Sequence, residues 1–295
     1  MKKRAKPGEH LAPAGDLGEH LRAADRIVLR GKWSLSDAIR HLCKVEPKFV
    51  SWIKQVGIPR VFAGPPSSDS HFASLVRSIV YQQVSVAAGK SIFEKLLSAL
   101  GCGPSASMLT PELVRDAAWG STLEAGKAKQ TVNGQTCGLS ERKAIYLRSL
   151  ATHFLDADLL GGDQDLDGIP EEVLKEKLLA VQGIGEWSAH MFLLFTLQRQ
   201  DVVALGDLGV RRGLAKLYGI SDPLWRKMKP EQFLPFVKAW SPYSSLGCAL
   251  MWRSDAVTMV SSSDRKEAGG KSKKRDRTGD AGPSVGSKRK KISRE

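Results

Sequence analysis

The sequence predicts an all-α fold. Three observations carry that prediction: apolar residues recurring at helical spacing, cap residues at the starts of those stripes, and no stretch of convincing period-2 alternation. In SHFASLVRSIVYQQ, residues 70–83, Phe72, Leu75, Val76, Ile79 and Val80 form one stripe, with Ser70 placed as N-cap. Gly89, Phe93, Leu96, Leu97 and Leu100 form a second. Ser140 opens SERKAIYLRSLA, and Pro170 suits the first helical position of PEEVLKEKLLAV. Further helices are expected at 36–44, 47–56, 110–118, 207–217, 230–239 and 244–254. Two stretches interrupt the pattern. GSTLEAGKAKQTVNGQTCG, residues 120–138, is polar and glycine-rich, and is expected to be a flexible insertion. The other is DADLLGGDQDLDG, residues 156–168.

Composition narrows the class. The chain has 295 residues and 42% hydrophobic content, enough for a sizeable core. It contains no run of 18 apolar residues, and its basic start lacks an apolar segment behind it, so neither a membrane span nor a secretory signal is expected. Cys43, Cys102, Cys137 and Cys248 are scattered without metal-ligand spacing and are expected as buried or free thiols. The acidic run Asp163, Asp165, Asp167, Gly168 opens like a calcium loop. The position that must supply the bidentate glutamate is Leu174, so no metal on side chains is expected.

The net charge of +14 is concentrated at the ends. Residues 264–295 hold 12 Lys/Arg against 5 Asp/Glu, and residues 1–32 hold 8 against 4. Basic tails attract polyanions whatever the folded part does. The expected organisation is a largely disordered basic segment at 1–32, a folded domain at 33–260, and a disordered basic tail at 261–295. KSKKRDR (271–277) and SKRKK (287–291) in that tail read as nuclear-import clusters.

The most informative stretch is VQGIGEWSAHMFLLF, residues 181–195. Gly183 and Gly185 flank Ile184 and break a helical pattern that resumes at once. Such a turn joins two helices sharply and leaves backbone N–H groups at the N-terminus of the second, where an anion such as a DNA phosphate is favoured. The flanking residues Leu178, Leu179, Val181, Met191, Leu194 and Phe195 are expected to anchor it to the core. Asp207 follows 22 residues after Gly185, at the start of another helix, where it also suits an N-cap.

Taken together with YQQVS (81–85) and GLSERKA (138–144), this order of motifs resembles the helix-hairpin-helix (HhH-GPD) DNA glycosylases over roughly residues 35–255, and among them the DNA-3-methyladenine glycosylase II family. The resemblance implies a two-lobed helical fold that binds double-stranded DNA in a cleft and hydrolyses the N-glycosidic bond of alkylated bases. Asp207 would be the catalytic carboxylate, stabilising positive charge on the sugar or orienting water. Trp187 stands where strand-cutting relatives carry a nucleophilic lysine, which implies base release without AP lyase chemistry. Trp187 and Trp252 would line the pocket, since aromatic faces attract electron-poor rings. Gln83, or Gln82 beside it, would fill the gap left by the extruded base, and Gly183, Ile184 and Gly185 would hold phosphate. No cofactor is expected beyond a monovalent cation at the hairpin backbone. The resemblance suits a monomer in the nucleus. One departure is WSPYSS (240–245), where Ser244 replaces the family's arginine and with it whatever support that side chain gives. Other readings are a non-catalytic DNA-binding module or a glycosylase for mismatched or oxidised bases.

Overall fold

A computed structural model describes residues 16–62, 69–124, 127–156, 160 and 166–257. The fold is mostly helical, and its helices pack as two groups. The first lobe holds α1 (Leu17–Ala24), α2 (Leu35–Val45) and α3 (Lys48–Val56). The chain then builds the second lobe from α4 (His71–Tyr81), α5 (Val86–Ala99), α6 (Pro111–Asp116), α7 (Glu141–Leu155), α8 (Glu171–Ala180) and α9 (Glu186–Met191). It returns to the first lobe with α10 (Leu208–Tyr218), α11 (Asp222–Trp225), α12 (Leu234–Val237) and α13 (Ser244–Met251). There α13 packs on α2, α3 and α10, while in the other lobe α4 packs on α5 and α7, and α8 on α9.

The helices expected behind Ser70 and Ser140 start where those caps predict, while Pro170 is the N-cap of α8, one position before its expected place. Ser70 accepts the Ala73 N–H, Ser85 the Ala88 N–H and Ser140 the Lys143 N–H, so each helix start has a backbone donor satisfied. The stripe of α4 from Phe72 to Val80 is buried throughout. Each such side chain contributes about 1.5–3 kcal/mol. Trp52 fastens α3 to α13 by donating to the Leu250 carbonyl at 3.0 Å. Gln198, buried and at φ +51°, joins the lobes: its side-chain carbonyl accepts the Arg30 N–H, and its backbone carbonyl accepts the Trp33 indole N–H, both at 2.7 Å.

Three expectations need correction. Where residues 120–138 read as a flexible insertion, their described residues are mostly in strands: β1 (Trp119–Glu124), β2 (Lys127–Val132) and β3 (Gln135–Thr136) form an antiparallel sheet in the order β1-β2-β3. Asn133 and Gly134, both at positive φ, make the tight turn between β2 and β3. The Asn133 amide also donates to the Ala99 carbonyl at the end of α5, and Val132 and Cys137 are buried, so the insertion is tied to the second lobe. Of the segment 1–32, expected to be largely disordered, residues 16–32 are described and include a packed helix. Asp16 caps α1, which packs on α2 and α3 and buries His20 and Ala24. Lastly, the helix expected at 230–239 is split into 3₁₀ turns at Pro230–Phe233 and Lys238–Trp240 around the short α12, because Pro235 brings no N–H to the ladder.

Residues 1–15 and 258–295, with both import clusters, lie outside the described residues, as do Asp163 and Asp165. Asp167 pairs with Arg30 at 3.2 Å. Among the described residues no group of His, Cys, Asp and Glu could hold a metal ion, and no helix is long and apolar enough to cross a membrane. The four cysteines are free, and three of them are buried.

Candidate active site and DNA-binding surface

The hairpin needs Gly183 for two reasons. Its φ is +93°, and a β-carbon there would lie 2.2 Å from the Tyr146 ring, which packs directly against the backbone. Gly185 differs: its φ of −95° suits any residue, and a β-carbon would meet nothing within 4 Å. The bare backbone at Gly185 therefore serves no internal packing and leaves the start of α9 open. Ile184 is buried, so only its backbone can face a ligand. Leu178 and Val181 anchor the hairpin as expected, whereas Leu179 is 41% exposed.

Beyond Met191 the helix widens into a π turn over Phe192–Thr196, closed by the bond from Leu197 N–H to the Phe192 carbonyl. Such insertions re-aim side chains and are frequent at functional sites. Here Leu194 stays in the core, but Phe195 is turned outward, 40% exposed, and stacks on Trp252 with ring centroids 5.1 Å apart and planes 22° apart. Helical spacing predicts Phe195 in the core, and the π turn is what moves it out.

Asp207 lies where the chain re-enters the first lobe. It caps α10, its Oδ1 accepting the Val210 N–H at 2.9 Å. The same Oδ1 accepts the Trp252 indole N–H at 2.7 Å, and Oδ2 accepts the Trp187 indole N–H at 2.8 Å. The three residues singled out as carboxylate and pocket walls thus form one hydrogen-bonded unit. Charge-assisted bonds from both sides fix the carboxylate's orientation. Gly209 makes the arrangement possible, since a β-carbon there would lie 2.7 Å from Trp252 Cδ1 and 3.0 Å from Asp207 Oδ1. Trp187 keeps 49% of its surface exposed, so a flat apolar face stands beside the carboxylate. Nearby Cys248 is fully buried and its thiol is pushed up to about 12 by burial, which removes it as a nucleophile.

Across from Trp187 a recess of about 380 Å³ is lined by Ser78, Tyr81, Gln82, Gln83, Trp187 and Ser188. The two glutamines, equivalent by sequence, part company here. Gln82 Nε2 donates to the Gly183 carbonyl at 2.9 Å, tying the α4–α5 turn to the hairpin. Gln83 is exposed and sits at φ +56°. A recess of about 470 Å³ around Arg30, Asp167, Glu171 and Arg199 does not include Asp207 or either indole.

Ser244 is buried, and its N–H donates to Asp201 Oδ1 at 3.1 Å while the Ser241 hydroxyl donates to Asp201 Oδ2 at 2.6 Å. Asp201 so secures the start of α13, the helix that presents Trp252.

A family model described as "HhH-GPD superfamily base excision DNA repair protein" matches residues 76–234. The chain is 30% identical over 221 residues to a DNA-3-methyladenine glycosylase of Saccharomyces cerevisiae, covering 70% of this chain and 68% of that one. It is similar to a solved DNA-3-methyladenine glycosidase from Bacillus halodurans, with 29% identity and a TM-score of 0.52 over 72% of this chain and 90% of that chain. The fold is also that of a Schizosaccharomyces pombe 3-methyladenine DNA glycosylase solved with abasic DNA, with 24% identity and a TM-score of 0.56 over 75% of this chain and 97% of that chain. With the hairpin, the capping aspartate and the two-lobed helical fold in place, this chain belongs to the HhH-GPD superfamily of base excision DNA repair proteins.

Proposed function

We propose that the protein is a monofunctional DNA glycosylase that flips alkylated bases of the 3-methyladenine and 7-methylguanine type out of duplex DNA and hydrolyses their N-glycosidic bond. The observation that carries this reading is the Asp207 carboxylate held by two indole N–H groups beside the exposed face of Trp187. The names of the relatives from Saccharomyces cerevisiae and Bacillus halodurans agree with it.

Each part has a physical task. As the bond to the base lengthens, positive charge develops on the sugar, and a carboxylate already oriented stabilises it without reorganisation. The same carboxylate can hold the attacking water. A base alkylated at a ring nitrogen is electron-poor, and stacking on Trp187 or on the Phe195–Trp252 pair favours it by about 0.5–2 kcal/mol over a neutral base. Because such a base is already a good leaving group, no general acid needs to protonate it. At position 187 an indole replaces an amine, so no Schiff base forms there and the strand is left intact.

The hairpin would take a phosphate on the backbone between Gly183 and Gly185, and Gln83 would occupy the vacated stack. The family resemblance also admits a monovalent cation on the hairpin backbone. The Val181 and Gly183 carbonyls each accept one N–H, from Ile184 and Gln82, and each keeps a second lone pair for such an ion. A monomer acting in the nucleus completes the reading, with the basic clusters at 271–277 and 287–291 as import signals. The test is incubation with duplex DNA carrying a single N-methylated purine, followed separately by measurement of free base and of strand breaks with and without alkali. Free base with breaks only after alkali supports the proposal. Breaks without alkali would contradict its monofunctional part, and binding without release would identify a non-catalytic module.

A further inference from the structure

The α4–α5 turn and the glycine hairpin lie 101 residues apart at Gln82 and Gly183, yet one turn of α7 grips both. Lys143 donates its ammonium to the carbonyls of Val80 at 2.7 Å and Gln82 at 2.8 Å. These lie at the C-terminal end of α4, where carbonyls lack partners within the helix. Burial holds the Lys143 pKa below the ordinary lysine value, as expected for an ammonium drawn inward to serve backbone acceptors. Three residues on, Tyr146 supplies the ring that packs against Gly183. Gln82 closes the circuit through its bond to the Gly183 carbonyl. The next residue, Gln83, has left-handed φ, which a residue with a β-carbon keeps only where its surroundings impose it.

We propose that Lys143 is a positioning residue, clamping the end of α4 so that Gln83 is presented, already oriented, to the gap left by an extruded base. The inference rests on the reading of Gln83 as the gap filler. Lys143 itself touches neither the base nor Asp207; it acts through the backbone of residues 80–82. Loss of the clamp frees the turn, so the cost falls on opening the duplex and not on breaking the bond.

The test compares Lys143→Met and Lys143→Arg in the full chain, with Lys90→Met as a control for loss of one positive charge, since Lys90 is an exposed lysine on α5 paired with Glu94. The first readout needs no chemistry: 2-aminopurine placed opposite an abasic analogue reports entry of a side chain into the gap. The parent, Lys90→Met and Lys143→Arg should change its fluorescence, and Lys143→Met should not. The second is single-turnover base release from a methylated purine that is either paired or placed opposite an abasic analogue. Lys143→Met should lose on the order of ten- to a hundredfold on the paired substrate, the scale of misplacing a group by about an ångström, and recover most of that loss on the unpaired one. Equal loss on both substrates, or a normal 2-aminopurine response from Lys143→Met, would overturn the proposal. If the parent gives the fluorescence change but releases no base, the glycosylase reading fails while the positioning role stands.

Discussion

Replacing Trp252 by Phe removes one N–H from the Asp207 carboxylate and leaves an aromatic ring against Phe195. The bond lost is 2.7 Å long and partly buried, and it goes to an oxygen that also accepts the Val210 N–H at 2.9 Å. Hydrogen bonds to charged groups contribute about 1.5–3 kcal/mol, and with Val210 remaining the lower end applies. If that energy orients the carboxylate for the transition state, base release slows about tenfold, since each 1.36 kcal/mol is a factor of ten. Trp187→Phe removes the other donor, at 2.8 Å, from a half-exposed position where water can take its place. Its effect through Asp207 should therefore be smaller. The assay is single-turnover release of a methylated purine by the parent, Trp252→Phe, Asp207→Asn and the double variant. Acting through the carboxylate, Trp252→Phe should add little once Asp207 is Asn. Full additivity, or an unchanged rate in the single variant, would refute the view that the indole works by holding Asp207.

Further outcomes follow from the same geometry. Gly183→Ala places a β-carbon 2.2 Å from Tyr146 at φ +93°, and should destabilise the fold by about 2–4 kcal/mol in thermal or urea unfolding. Gly185→Ala enters open space and should leave stability within about 0.5 kcal/mol while weakening binding to abasic DNA; normal binding would remove the hairpin from the contact surface. Burial lowers the pKa values of both His20 and His190. The unfolded chain then takes up protons first as pH falls below about 6.5, so stability is complete above that value and drains away beneath it. The melting temperature should fall between pH 7 and pH 5, and His20→Met should flatten the profile. A flat profile in the parent would show that these imidazoles are not desolvated.

Much of this was legible in the sequence because local chemistry and tertiary packing agree. Ser70, Ser140 and Asp207 are caps by residue type, and they cap. The buried stripe of α4 follows directly from its spacing. The β-sheet escaped because its strands are polar and short, although Asn133-Gly134 is the strongest local hairpin signal available. Phe195 was misplaced because a 3.6-residue count fails across a π turn, which no single residue announces. Gln82 and Gln83 could not be separated, since the difference lies in a left-handed φ and in a carbonyl contributed from across the lobe. The indole bonds to Asp207 were equally hidden: residues 187, 207 and 252 are joined only by how α9, α10 and α13 meet. Sequence order could nominate them, but their mutual geometry could not be read from it.

The most direct measurement is free base released from an N-methylated duplex by the parent and by Asp207→Asn under single-turnover conditions. Asparagine remains a good N-cap, so α10 should persist and the melting temperature should change little. The account predicts release by the parent and a loss of a hundredfold or more in Asp207→Asn, the scale of removing preorganised charge stabilisation. Equal rates from the two proteins, each folded, would contradict it.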